Sequence, residues 1–60
     1  MPITDPAARE RIIQITVEIV NGQITAGLID PTNDLQLRRA TRTAVETAKA
    51  AYFAAVEFVS

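Results

Sequence analysis

Residues 12–20 read Ile-Ile-Gln-Ile-Thr-Val-Glu-Ile-Val, a β-branched run that satisfies two periodicities at once. The choice between them decides the fold. With period two, Ile13, Ile15, Val17 and Ile19 alternate with Gln14, Thr16 and Glu18, and Asn21-Gly22 follows. That dipeptide is favoured in two-residue hairpin turns. Folded about it, Ile19 faces Ile24, Val17 faces Ala26 and Ile15 faces Leu28, which gives strands over 13–20 and 23–30. With the helical period, Ile13, Val17, Val20, Ile24 and Leu28 form one row at spacings of 3 or 4. Arg11, Gln14, Glu18, Asn21 and Thr25 run opposite as a polar row. Ile12, Ile15 and Ile19 widen the apolar arc well past the roughly 100° that a surface helix needs.

Two considerations favour the helix. Thr4-Asp5-Pro6 supplies a capping oxygen and a Pro at the first helical position, where the missing N–H had no partner. Ala7 to Arg11 are good helix formers, and no breaker separates them from the isoleucines. A lone hairpin beside one helix would also leave unpaired strand edges in a very small domain. Gly22 then lies inside the helix as a close-packing notch, at a cost of about 1 kcal/mol relative to Ala.

Ile29-Asp30-Pro31-Thr32-Asn33-Asp34 is a turn: Pro31 drives Asp30 out of helical geometry, and Asp, Thr and Asn supply turn and capping oxygens. Asp30, Asn33 and Asp34 lack the central Gly and closing Glu of a calcium loop and are read as caps of the next helix. From about residue 33, Leu37, Ala40, Ala44, Ala48, Ala51, Ala55 and Phe58 make a stripe flanked by Thr41, Val45, Tyr52, Val56 and Val59. Small side chains let a facing helix approach to the short end of the usual separation. The expected fold is all-α: one domain over 1–60, a helical hairpin of about 5–28 and 33–59, assembling as a homodimeric four-helix bundle or a larger oligomer. The alternative is the β-hairpin (13–20, 23–30) plus the C-terminal helix.

The assembly follows from size. A chain of 60 residues seldom gains more than about 3–5 kcal/mol from a single core, and the usual supplements are disulfides, a structural metal or a partner chain. With no Cys and no His, the first two are removed. The same absences remove the commonest general base and the strongest nucleophile. The acids are scattered, so an enzyme is not expected, nor any cofactor. Met1 to Asp5 carries no basic segment leading into an apolar run, and no apolar run approaches the roughly 20 residues of a spanning helix. A cytoplasmic protein is expected, without membrane contact.

Two constellations are candidate sites. Arg38, Arg39 and Arg42 lie within two helical turns and could hold phosphates of RNA, DNA or a nucleotide, doubled in a dimer. Against this, Arg42–Glu46 and Glu46–Lys49 have the spacing of intrahelical ion pairs, and the net charge is −1. Phe53 projects opposite the Ala stripe among Lys49, Glu46 and Glu57, so Phe53 and Lys49 are candidate partner contacts. Tyr52 belongs at the edge of the buried face.

The segment Thr16-Val17-Glu18-Ile19-Val20, in a helix that ends before a Pro-containing turn, resembles the N-terminal oligomerisation segment of Ros/MucR-type bacterial regulators. The resemblance covers about a third of the chain and lacks their zinc-finger part. The general build is also similar to very short helical proteins of phages and mobile elements. Neither resemblance carries a functional residue over. The expected function is stoichiometric binding to a protein partner by a self-associating helical protein, with phosphate-ligand binding as the alternative.

Overall fold

The computed structural model describes residues 5–59. They form two antiparallel helices, α1 (Pro6–Thr25) and α2 (Asp34–Val59), and no strand occurs among them. The isoleucine run is therefore helical, and the alternative with strands over 13–20 and 23–30 is not formed. Asp5 starts α1 as expected: its backbone is extended, its carboxylate accepts from the Ala7 N–H at 3.0 Å, and Pro6 follows in the first turn. Thr4, the other capping candidate, lies outside the described residues. No helix is long and apolar enough to cross a membrane among the described residues.

The first helix stops three residues before its expected end at 28. Gly27 adopts φ +76°, a left-handed conformation open to Gly without the Cβ penalty. The Gly27 N–H donates to Ile24 O at 3.0 Å and the Leu28 N–H to Gln23 O at 2.9 Å. These paired bonds form the Schellman closure, satisfying carbonyls that would otherwise have no partner. Leu28 consequently leaves the helical row and is exposed, while Ile29 turns inward and is buried.

The second helix begins at Asp34, with Asn33 as its cap: Asn33 Oδ1 accepts from the Gln36 N–H at 3.1 Å. The Gln36 side chain reaches back to accept from the Asp30 N–H, tying the connection to the first turn of α2. This works as a capping box with its return bond displaced three residues upstream.

The seam sets a mixed row on α1 against small side chains on α2. On α1 the buried row is Ala8, Ile12, Thr16 and Val20, and on α2 it is Ala44 and Ala48. Both rows advance by four residues, the pattern of helices whose i±4 ridges interdigitate. The row expected on α1 is thereby corrected: Ile13 is 59% and Val17 51% exposed. Thr16, polar by type, occupies the core because its hydroxyl donates to Ile12 O at 2.7 Å within its own helix. On α2 the expected stripe holds through Leu37, Ala40, Ala44 and Ala48, whereas Ala51, Ala55 and Phe58 are exposed. Gly22 is not a packing notch, since a Cβ placed there would meet nothing within 4 Å.

Candidate interaction surface

The exposed apolar side chains fall on both flanks of the seam. Successive residues of a helix are turned by about 100°, so Ile13, following buried Ile12, and Ile15, preceding buried Thr16, project to opposite sides. On the flank of Ile15 the helices enclose an open groove of about 660 Å³. Arg11 and Ile15 line it from α1, and Ala51, Tyr52, Ala55 and Val56 from α2. Val59 also lines it and is 88% exposed. Tyr52 is half-buried, as expected for the edge of the packed face. On the other flank, Ile13 and Val17 form a second apolar row one turn apart.

Surface area gives this pattern a magnitude. The chain exposes 4785 Å². A compact monomer of its 6.5 kDa mass exposes about 3,800 Å², so the excess is on the order of 1,000 Å². The shape agrees: the Cα radius of gyration is 12.7 Å, against about 10.4 Å for a compact domain of this length. Each partner in a stable protein interface loses about 800 Å².

Phe53 sits where the sequence placed it, on the outer face of α2 and half-exposed, with its ring edge-on to Tyr52 at a centroid separation of 5.4 Å. Lys49, one turn before it, is half-buried and holds Glu46 at 3.6 Å. The expected Arg42–Glu46 pair is not formed among the described residues. Arg38 is held by Asp34, with Nε 2.9 Å from the carboxylate in an exposed intrahelical pair. Arg38 and Arg42 line a hollow beside Leu37 and Thr41, and Arg39 is exposed on α2 beyond it.

Of the three oxygen-bearing residues read as caps, only Asn33 caps the helix directly. Asp34 pairs with Arg38, and Asp30 closes a turn by accepting from the Thr32 hydroxyl at 2.7 Å and the Thr32 N–H at 2.9 Å. These two bonds, the hydroxyl's foremost, hold the Asp30 carboxyl below its usual range. No three acidic side chains gather into a metal-binding group among the described residues.

Sequence reasoning missed the groove because it assigned Ala51 and Ala55 to the intramolecular seam. The available signal was length: an α1 closed by Gly27 has 20 residues to set against the 26 of α2, so among the described residues the last turns of α2 extend beyond α1. No protein-family model, curated protein or solved structure matches the chain.

Proposed function

We propose that this is a cytoplasmic, non-enzymatic protein that self-associates as a homodimer of helical hairpins, or as a larger oligomer, and acts by stoichiometric binding to a protein partner. One observation carries the reading: many large apolar side chains lie outside, while half of the buried apolar residues are alanines. The buried apolar residues are Ala8, Ile12, Val20, Ile29, Ala44 and Ala48, whereas Ile13, Val17, Leu28, Val56, Phe58 and Val59 are at least half-exposed. Exposed apolar surface of this extent marks an interaction site, and the chain has neither Cys nor His to stabilise it as a solitary unit. The two flanks provide one face for self-association and one for a partner. Phe53 and Lys49 add a mixed aromatic and cationic contact on the outer side of α2.

Phosphate binding through Arg38, Arg39 and Arg42 draws less support, because Asp34 already engages Arg38.

Sedimentation equilibrium tests the reading, with a mass of twice 6.5 kDa or more expected at micromolar concentration. Unfolding should depend on concentration as well. For a dimer melting to two unfolded chains, the specific entropy of unfolding gives a rise in Tm of about 5–6 °C per tenfold increase in protein. A folded monomer with a concentration-independent Tm would refute self-association. Fluorescence anisotropy with labelled RNA and DNA checks the other reading: salt-sensitive micromolar binding lost on Arg42→Ala would replace the protein-partner proposal.

A further inference from the structure

We propose that Asn21 is a site of spontaneous deamidation that α1 holds closed, and that its conversion to isoaspartate undoes the end of that helix. The inference concerns a single chain and does not rest on the self-association proposed above.

The reaction is internal and consumes only water. The Gly22 main-chain nitrogen bonds to Cγ of Asn21, the Cγ–Nδ2 bond breaks, and ammonia leaves with the proton that the Gly22 nitrogen gives up. Water then opens the five-membered imide. Cleavage of the new bond to Cγ restores the ordinary main chain with aspartate at position 21. Cleavage of the original peptide bond leaves isoaspartate, whose main chain runs through Cβ and Cγ and is one atom longer. A glycine after the asparagine suits the first step, because no β-carbon crowds the attacking nitrogen. The surroundings add no obstruction: Asn21 is exposed, and even an added Cβ at Gly22 would meet no atom within 4 Å. Asn33 differs, since Asp34 follows it and its side chain is engaged as a helix cap.

The restraint is α1 itself, in whose last turns Asn21 and Gly22 lie. A helix holds ψ near about −42°, and the ring closes only when rotation about that bond brings the Gly22 nitrogen into line with the Asn21 Cβ. The Gly22 N–H also belongs to the hydrogen-bond ladder of α1. Reaction therefore waits for the last turns to open, and helix ends open at far lower cost than the whole fold. Opening and closing outpace imide formation, so the rate follows the open fraction.

Position gives the product its effect. The three carbonyls that close α1 belong to the residues that come next: Gly22 O accepts from the Ala26 N–H at 3.0 Å, Gln23 O from the Leu28 N–H at 2.9 Å and Ile24 O from the Gly27 N–H at 3.0 Å. An extra main-chain atom immediately before them breaks the register between this closure and the body of α1, which ends its buried row at Val20. Aspartate keeps the register and adds only a charge near the negative end of the helix dipole.

Peptide mapping by mass spectrometry, after incubation at mildly alkaline pH, reads the rate at each asparagine. Asn21 should react and Asn33 should not. The folded protein should react at least about tenfold more slowly than the same chain unfolded in guanidinium chloride. Gly27→Ala, which loosens the closure, should react about 5- to 30-fold faster than the parent, with Gly27→Asn between them and Gly22→Ala slower than the parent. Equal rates in the folded and unfolded chain overturn the restraint by α1. A rate unmoved by both Gly27 variants overturns the gating by its last turns, and faster reaction at Asn33 overturns the site. Thermal unfolding of the purified isoaspartate form against Asn21→Asp tests the consequence: the isoaspartate form should melt about 4–8 °C lower or more, and an equal Tm would overturn the loss of the closure.

Discussion

Replacing Gly22 by Ala should stabilise the protein, and the size of the gain follows from the surroundings of the residue. Gly22 lies in the last turns of α1, its carbonyl accepts from the Ala26 N–H at 3.0 Å, and its φ is negative. Ala needs no change in any of these. A Cβ there meets no atom within 4 Å, so no steric cost offsets the gain in helix propensity. Gly to Ala in an exposed helix interior is worth about 0.8–1 kcal/mol, chiefly through the smaller conformational freedom of the unfolded chain. For a domain of this size, 1 kcal/mol moves Tm by about 4–8 °C. Both chains of a dimer gain alike, so the shift is the same for monomer and dimer. The assay is thermal unfolding followed at 222 nm, with parent and variant at equal protein concentration because association shifts Tm. A fall in Tm would refute the reasoning: it would mean that Asn21-Gly22 makes a turn, or that another chain packs against the bare backbone at Gly22.

The other glycine should respond with the opposite sign. Gly27→Ala forces a β-carbon into the left-handed region and should lower stability by about 1–2 kcal/mol, with Gly27→Asn milder; a neutral Ala variant would remove the Schellman closure from the account. Asn33→Ala deletes the acceptor for the Gln36 N–H and should cost about 1 kcal/mol in urea unfolding, whereas Asn33→Asp should retain most of it. Thr32→Val removes the hydroxyl donated to Asp30 and should raise the Asp30 pKa toward its ordinary value, read by NMR titration of the carboxyl carbon. The carboxyl is held low in the folded state, so its contribution to stability is present above about pH 3.8 and is lost as pH falls through the folded-state value. An Asp30 titration unchanged by Thr32→Val would dissociate the shift from that bond.

Local signals made the helices legible, and tertiary geometry placed their faces. Asp5-Pro6 and Asn33 mark both helix starts because capping acts over two or three residues of sequence. The end of α1 was equally local: Gly27 is the closing residue, and continuing the helix to Leu28 passed over it. The face of α1 was not legible, because its apolar arc is so wide that several rows serve equally well as a seam. The choice of Ala8-Ile12-Thr16-Val20 over Ile13-Val17-Val20-Ile24 comes from the Ala44-Ala48 row across the interface, which advances at the same four-residue step. Thr16 shows the limit of a binary pattern, since a hydroxyl bonded to its own helix behaves in the core as a small side chain. On α2, the outward position of Phe53 was readable from spacing alone, but the Arg42–Glu46 pair was not, because Glu46 has Lys49 within reach as well.

The placement of bulk links the seam to the surface. Ala and Thr at the crossing bring two helices close together, yet an Ala side chain removes little apolar area from water when buried. The hairpin gains proximity and loses hydrophobic stabilisation. A chain selected to stand alone would do the reverse, with Ile or Leu at positions 16, 44 and 48 and polar residues at 13, 17, 56, 58 and 59. Here Thr16, Ala44 and Ala48 share the inside with Ile12, Val20 and Ile29, while Ile13, Val17, Val56, Phe58 and Val59 occupy the outside. Composition cannot reveal this distribution, because the apolar fraction of 48% is the same whichever side the bulky residues take. Its consequence is energetic. Under the proposed self-association, the area that would secure a single hairpin is deferred to contacts between chains, so folding and association draw on the same side chains.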